Sequence, residues 1–296
     1  MFETLVGVPE LKDSEAFEEE RAYLLRFCYR MIGSVADAED VVQEAFLRWR
    51  KAGEPILDAP RAWFTRTCAR LCLDRLKSAQ ARRERYVGEW LPEPLVTDEG
   101  DRPELDETLS MALLVTIERL RPAERAAFLL HDVFGYGFDE IAEILELESV
   151  NCRKLASRAR KHLTDDRVRS TADDATIERL SNAFFRAIDE GELDGLQSVL
   201  AGDVVMRSDG GGKVPAAPQP IYGADAVVSF LRKVFIDAPS RGAVSRRSVW
   251  FNGAPGTLLY EDRLLVSAFQ FQVVDDRIRG IFVQRNPDKL RHFAEI

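Results

Sequence analysis

The residues best equipped for acid–base or metal chemistry are few in this 296-residue chain, and they lie far apart. Asp209 stands in the glycine turn DGGGK (209–213) and His292 near the end of the chain. An aspartate and a histidine suit general acid–base work only when a partner lies within hydrogen-bond reach, and neither has an evident one in sequence. Cys28, Cys68, Cys72 and Cys152 sit in helical, mostly apolar surroundings without a CxxC pair, and three histidines are too few for a zinc site. Buried free thiols are expected, with no metal and no other cofactor. His131 lies in a helical stretch without a neighbouring histidine and is given no role. The chemistry that does recur is basic charge on helix faces, which suits holding phosphates and not breaking bonds.

That charge is clearest from Phe138 to Leu163, FDEIAEILELESVNCRKLASRARKHL. Phe138, Ile141, Ala142 and Leu145 fall at i, i+3, i+4 and i+7 of one short helix, and Cys152, Leu155, Ala156, Ala159 and Leu163 form the stripe of a second. The pattern predicts a helix-turn-helix. Off the second stripe lie Arg153, Lys154, Ser157, Arg158, Arg160 and Lys161, with Ser149 or Asn151 placed to cap the N-terminus. An ordinary solvated face mixes signs, whereas no acid occurs from Arg153 to Thr164, so a recognition helix for DNA is favoured over a merely wet one.

The formal charge of −9 argues against nucleic acid only if charge is averaged over the chain. Its distribution says otherwise, because charges act within about a Debye length, about 10 Å at moderate salt. Residues 61 to 85 carry eight Arg or Lys against two acids, and residues 153 to 169 carry seven against two. Between them, residues 86 to 110 hold eight acids against Arg102 alone, with Pro92, Pro94, Pro103 and Gly100. This reads as an acidic linker joining two basic helical domains. Neither a signal peptide nor an apolar run near 18 residues is present, so a soluble, cytoplasmic chain with no membrane partner is expected.

The elements that position these charges follow in order. Phe17 to Trp49 reads as two helices around a Gly-Ser break, the second opening with Asp37, Glu39 and Asp40 as the helix dipole favours and leaving Gln43, Glu44, Arg48 and Arg50 exposed. Pro60 starts a third helix, with Trp63, Phe64, Cys68, Leu71, Cys72 and Leu76 inside and Arg61, Arg66, Arg70, Arg75 and Lys77 around them. Basic residues interleaved with Trp63 and Phe64 suit a surface that holds phosphates and stacks an unpaired base, although both rings also fit a core, and for Trp63 the two readings weigh equally. A helical bundle runs from Leu109 to Leu163, its middle helix starting at Pro122 and ending in FGYG. After about residue 173 the character changes. Ile177–Glu190 and Ala224–Val234 are amphipathic helices, and VSRRSVWF, TLLYED, RLLVSAFQFQVVDD and RIRGIFVQR read as four strands of an antiparallel meander with Gly-Ala-Pro-Gly or Asp-Asp turns. This is an α+β domain whose curved sheet is able to enclose a pocket, with nothing in the sequence to fix an occupant.

Several of these runs resemble those of an extracytoplasmic-function sigma factor, across about residues 14 to 165. DAEDVVQEAFLRWR (37–50) is similar to the family's core-polymerase-binding helix, and RAWFTRTCARLCLDRLKSAQARRE (61–84) to its minus-ten recognition and melting segment, with Leu71 where many members carry Asn. LRPAERAAFLLHDVFGYGFDEIAEIL with RKLASRARKHL resembles its minus-thirty-five domain. The remainder resembles the subgroup with a C-terminal SnoaL-like domain, whose signature runs stand here as WLPEP (90–94), DGGGK (209–213) and NPDKL (286–290).

The resemblance implies two all-α helical domains joined by an acidic linker and followed by an α+β, NTF2-like domain with a cone-shaped sheet. The implied boundaries are 1–86, a linker at 87–108, 109–168 and 174–296. It implies core RNA polymerase as a partner through Asp37, Glu39, Asp40, Gln43, Glu44 and Phe46, and promoter DNA as a second through the basic residues above with Ser149, Asn151, Arg153, Lys154, Ser157 and Arg158. It also implies that the extra domain acts in cis through Trp90, Leu91, Pro92, Glu93, Pro94, through Asp209, Gly210, Gly211, Gly212, Lys213, and through Asn286, Pro287, Asp288, Lys289, Leu290.

The residues give physical reasons for those runs. Two prolines stiffen WLPEP and hold Trp90 and Leu91 out as apolar anchors. Three glycines free the backbone of DGGGK for close approach, with Lys213 as a cation for Glu93 or for a ligand anion, although a plain turn explains the run equally. NPDKL reads as a short terminal helix with Asn286 as cap and Pro287 first. Two other readings compete: a C-terminal module that binds a small molecule or catalyses a cyclase-like reaction through Asp209 or His292, and a repressor-like DNA-binding module that works without polymerase. The helix at 37–50 argues against the latter, and the expectation is a protein that is not an enzyme.

Overall fold

A computed structural model describes residues 10–52, 59–83, 86–96, 110–165, 172–237 and 242–295. Most of the acid-rich stretch, residues 97–109, lies outside the described residues. The chain divides into two compact units, Met1–Gln80 with Leu120–His162, and Ala81–Arg119 with Leu163–Ile296.

In the first unit, α1 (Glu10–Ile32) and α2 (Val35–Lys51) are separated by Gly33 at φ 74 and by Ser34, whose hydroxyl accepts the Asp37 amide at 3.3 Å. The Gly-Ser break is thus a left-handed stop followed by an N-cap. α3 (Pro60–Arg83) buries Phe64, Cys68, Leu71, Cys72 and Leu76 against them, while Trp63 is half-buried with its ring edge-on to Phe64. Phe17, Phe46, Trp49 and Phe64 interlock with centroids 4.5 to 6.0 Å apart. All four cysteines are free and buried, and Cys28, facing Cys68 and Cys72, has its thiol pushed up by burial and by those neighbours.

In the same unit α5 (Pro122–Phe128) runs into a π-helical turn, Leu129–Val133, before α6 (Phe138–Leu145) and α7 (Ser149–Asp165). α6 and α7 form the helix-turn-helix; Glu146 ends α6 in the left-handed region at φ 54. These helices pack on the first three. Arg125, 1% exposed, donates to the Met31 carbonyl at 2.6 Å, and the Tyr136 hydroxyl links Tyr23 at 3.1 Å to Thr65 at 3.2 Å.

The second unit carries α4 (Met111–Ile117), α8 (Asp174–Glu190), α9 (Leu193–Val199), α10 (Ala224–Leu231) and a six-stranded sheet. β1 (Leu200–Asp209), β2 (Ile221–Tyr222), β3 (Val244–Phe251), β4 (Ala254–Glu261), β5 (Leu264–Val274) and β6 (Arg277–Gln284) are ordered β2-β1-β6-β5-β4-β3. β3 to β6 are the expected meander, but β1 and β2 lie outside that expectation, and β1 pairs with β6 in parallel, so the sheet is mixed. The first hairpin turns at Asn252-Gly253, so Gly-Ala-Pro-Gly gives only its first residue to the turn and its other three to β4. Asn252-Gly253, Asp262-Arg263 and Asp275-Asp276 all have positive φ at both positions, the mark of type I′ turns that match strand twist.

The sheet is used on both faces. α8 lays Ile177, Leu180, Phe184 and Phe185 over Phe269 and Phe271 on one face. On the other, Phe282 packs with Leu91 of WLPEP and with Met111, Ala112 and Val115 of α4. The helix that sequence alone joins to the helix-turn-helix therefore clusters with the linker and the sheet, because its apolar side is covered by Leu91 and Phe282.

Candidate functional site

Within the first unit α7 presents Arg153, Lys154, Ser157 and Arg158, all exposed, around a shallow concavity that also includes Val150. Arg153 stacks on Phe138 with its guanidinium 5.6 Å from the ring centroid. Arg160 is tied to Asp132 at 2.7 Å and leaves the basic face. The first turn of α7 is closed by the Glu148 carbonyl, which accepts the Asn151 and Cys152 amides at 2.9 and 3.1 Å. Capping by a Ser149 or Asn151 side chain is thus corrected: the Ser149 hydroxyl is buried without a partner among the described residues, and Asn151 is exposed.

The basic residues of α3 are held by acids and carbonyls of neighbouring helices or, for Lys77, by an acid of α3 itself. Arg61 pairs with Glu20 at 2.7 Å and lies over Tyr23. Arg66 donates to the Glu143 carbonyl from Nε at 3.0 Å and from Nη2 at 2.6 Å. Arg70 pairs with Glu146, and Lys77 with Asp74 at 3.1 Å. Arg75 reaches Asp37 at 3.0 Å and Asp40 at 3.5 Å, which brings together residues that the resemblance gives to different partners. Of the α2 group, Glu39 and Gln43 are exposed, Glu44 pairs with Arg48, and half-buried Phe46 stacks on Phe17 at 4.5 Å.

The second unit joins the three short runs into one polar knot. Asp209 is fully buried, and its carboxylate accepts four hydrogen bonds: from the Tyr86 hydroxyl at 2.6 Å, the Leu91 amide at 2.9 Å, the Gly211 amide at 2.9 Å and Lys289 Nζ at 2.7 Å. Lys289 also donates to the Leu91 carbonyl at 2.6 Å and lies 4.1 Å from the centre of the Trp90 ring. Asn286 Nδ2 donates to the Tyr86 hydroxyl at 3.0 Å, and Gln284 Nε2 to the Pro92 carbonyl at 3.3 Å. Beyond it Glu93 meets His292 at 2.7 Å, and Leu95 exchanges two hydrogen bonds with Asn252. Arg207 pairs with Glu89.

The glycines make this approach feasible. Gly211 stands at φ 62, where a Cβ would fall 2.4 Å from Asn286 Nδ2, and Gly212 at φ 69, where a Cβ would meet that of Val87 at 2.9 Å. Only glycine combines that backbone with that proximity.

Three expectations are corrected here. Asp209 and His292 do have partners, Lys289 with the linker and Glu93 respectively. Lys213 pairs with Asp288, whose carboxyl it holds low, and not with Glu93. NPDKL is a turn, in which Asn286 Oδ1 accepts the Asp288 amide at 3.0 Å, followed by a 3₁₀ helix at Arg291–Glu295. Leu91, with no exposure, is the stronger apolar anchor, since Trp90 is half-buried. Tyr86, Gln284 and Asn252 escape sequence reasoning; a lone tyrosine beside a basic helix carries no signal of its eventual partner.

Two family models match the helical parts of the chain, and the second of them spans residues of both compact units. Residues 16–82 match the Sigma-70 region 2 family and residues 110–163 the Sigma-70, region 4 family. The chain is similar to the ECF RNA polymerase sigma factor SigJ of Mycobacterium tuberculosis, 43% identical over 221 residues that make up 73% of this chain and 70% of that protein. It is 36% identical over 282 residues to the probable ECF RNA polymerase sigma factor SigI of the same species, covering 94% of each. The crystal structure of Mycobacterium tuberculosis SigJ superimposes with a TM-score of 0.75 at 33% identity, covering 94% of this chain and 98% of that one.

Proposed function

Because the chain belongs to the extracytoplasmic-function (ECF) RNA polymerase sigma factors, we propose that its two basic helices contact promoter DNA while its C-terminal domain governs them in cis by gripping the linker. In this reading Asp37, Glu39, Asp40, Gln43, Glu44 and Phe46 meet core RNA polymerase. Arg61, Trp63, Arg66, Arg70, Arg75 and Lys77 serve the minus-ten element, and Ser149, Asn151, Arg153, Lys154, Ser157 and Arg158 the minus-thirty-five element. The working divisions are residues 1–86, 87–108, 109–168 and 174–296.

The carrying observation is the buried Asp209 carboxylate, which takes two of its four hydrogen bonds from Leu91 of the linker and from Tyr86 at the linker's entrance. A linker that merely tethered two domains would need no buried charge. The same saturation removes Asp209 from acid–base work, because its oxygens are occupied by Lys289, two amides and a phenol. No catalytic residue is required.

The test is run-off transcription with core polymerase. Trp90→Ala and Lys289→Met are expected to change promoter output several-fold and to raise protease cleavage within residues 86–96, with core binding unchanged. Output and cleavage equal to those of the unaltered protein in both variants would return the domain to a passive attachment.

A further inference from the structure

Strand alternation divides β1, β5 and β6 between two tasks. Arg207, Asp209, Phe282 and Gln284 face the linker, so their neighbours Met206, Ser208 and Val283 face the opposite side, as Ser267 and Phe269 do on β5. There they line a cavity of about 280 Å³, closed by Phe230, Val234 and Phe235 from α10 and the π-helical turn that follows it. This lies just below the roughly 300–1,000 Å³ of ordinary small-molecule sites, and its walls are mainly apolar.

Its polar groups are of one kind. Arg285 and Lys233 supply positive charge, Ser208 and Ser267 supply hydroxyls although each residue is only 3% exposed, and among the described residues no acid lines the cavity. The Arg285 guanidinium is steadied at the rim by the Pro215 carbonyl. An apolar chamber with cations and hydroxyls fits a small amphipathic carboxylate, with its hydrocarbon among Phe230, Phe235 and Phe269 and its charge toward Arg285.

We propose that this cavity binds a small aryl- or alkyl-carboxylate, and that the bound anion alters the grip on the linker. The second half rests on the cis-regulatory reading above. Its physical basis is adjacency: Ser208 immediately precedes Asp209, the Arg285 amide donates to the Asp209 carbonyl at 2.7 Å, and Arg285 lies between Gln284 and Asn286, which hold Pro92 and Tyr86. A ligand that draws on Arg285 acts on the peptide units that carry the clamp, and it shifts the linker only by as much as it binds one state better.

The experiment titrates the full chain calorimetrically with 4-phenylbutyrate, 4-phenylbutanamide and 4-phenylbutylamine, of one shape and three charges. The carboxylate is expected to bind at one site at least tenfold more tightly than the amide, with the amine not binding. Lys233→Met/Arg285→Met should erase the preference for the carboxylate over the amide, and Ser267→Phe, which fills the chamber, should abolish binding of both with the thermal unfolding of the chain retained. Equal affinity for all three probes, or no binding of the carboxylate, overturns the site. Hydrogen exchange of residues 86–96 with and without 4-phenylbutyrate tests the coupling separately. Unchanged exchange despite binding overturns the coupling and leaves the site, whereas a failure of Trp90→Ala to alter transcription overturns the cis-regulatory reading with the coupling that rests on it, and leaves the site.

Discussion

Lys289 and Asp209 form a buried ion pair at 2.7 Å in which the lysine side chain is 13% exposed and the aspartate not at all. Both partners also bond Leu91, the aspartate at its amide and the lysine at its carbonyl, so the pair holds a single linker peptide position from both ends. Removing one member of a buried pair strands the other charge, at a cost of about 3–5 kcal/mol. Asp209→Ala and Lys289→Met are each expected to lose stability of that order in urea unfolding. Asp209→Ala with Lys289→Met should lose clearly less than the sum of the single changes, because contacting residues couple by about 0.5–3 kcal/mol. Strict additivity would mean that the pair is not energetically one unit.

Alkaline pH opens the same site by another route. Burial, then the hydrogen bond to Asp209, push the Tyr86 phenol above its ordinary value near 10. A group whose folded pKa is raised contributes stability that is complete below the unfolded value and is lost as pH climbs toward the folded one. Between about pH 10 and unfolding, ultraviolet absorbance at 295 nm should therefore show the same number of phenolates in the folded wild type and in Tyr86→Phe, with one more in the wild type once urea is added. An extra phenolate in the folded wild type would place Tyr86 in solvent.

What the sequence made legible was local, and what it hid was distant. α6 and α7 were readable because their stripes and charges repeat within one helix, and β3 to β6 because each is joined to the next by a two-residue turn. β1 escaped because its partner β6 is parallel, with Asp209 set against Gln284. The donors to Asp209 come from residues 86, 91, 211 and 289, three separate stretches of chain, so no spacing rule gathers them. Lys213 reads in sequence as a cation for Glu93 or for a ligand anion, and only the turn at Asn286 brings Asp288 to it instead.

The basic face of α7 gives a prediction that separates DNA binding from folding. Arg153, Lys154 and Arg158 are exposed, and the buried side of α7 is made by Cys152, Ala156 and Ala159. Replacing the three basic residues together with Ala should abolish promoter-specific transcription while leaving core-polymerase binding and unfolding close to wild type. The logarithmic salt dependence of promoter affinity should flatten by about 0.9 for each DNA phosphate that the variant no longer neutralises. An unchanged slope and affinity would take DNA binding away from this face.

The last prediction concerns Arg70, which the proposed function assigns to DNA and the structure pairs with Glu146. Glu146 is 70% exposed at its side chain and Arg70 44%, so the pair contributes only about 0–1 kcal/mol. Promoter phosphates compete for the same guanidinium, and the competition costs whatever the pair was worth. Glu146→Gln should therefore strengthen promoter binding, by at most about fivefold when 1 kcal/mol is released. Arg70→Ala should weaken it, and neither change should shift unfolding by more than a fraction of 1 kcal/mol. Exposed pairs are screened by salt, so the gain from Glu146→Gln should shrink as ionic strength rises from low to about 0.5 M. Fluorescence anisotropy with a promoter duplex measures the two affinities and their salt dependence, and urea unfolding the stability. A Glu146→Gln protein that binds promoter more weakly than wild type, or whose gain persists unchanged at high salt, would show that Glu146 does not compete with DNA for Arg70.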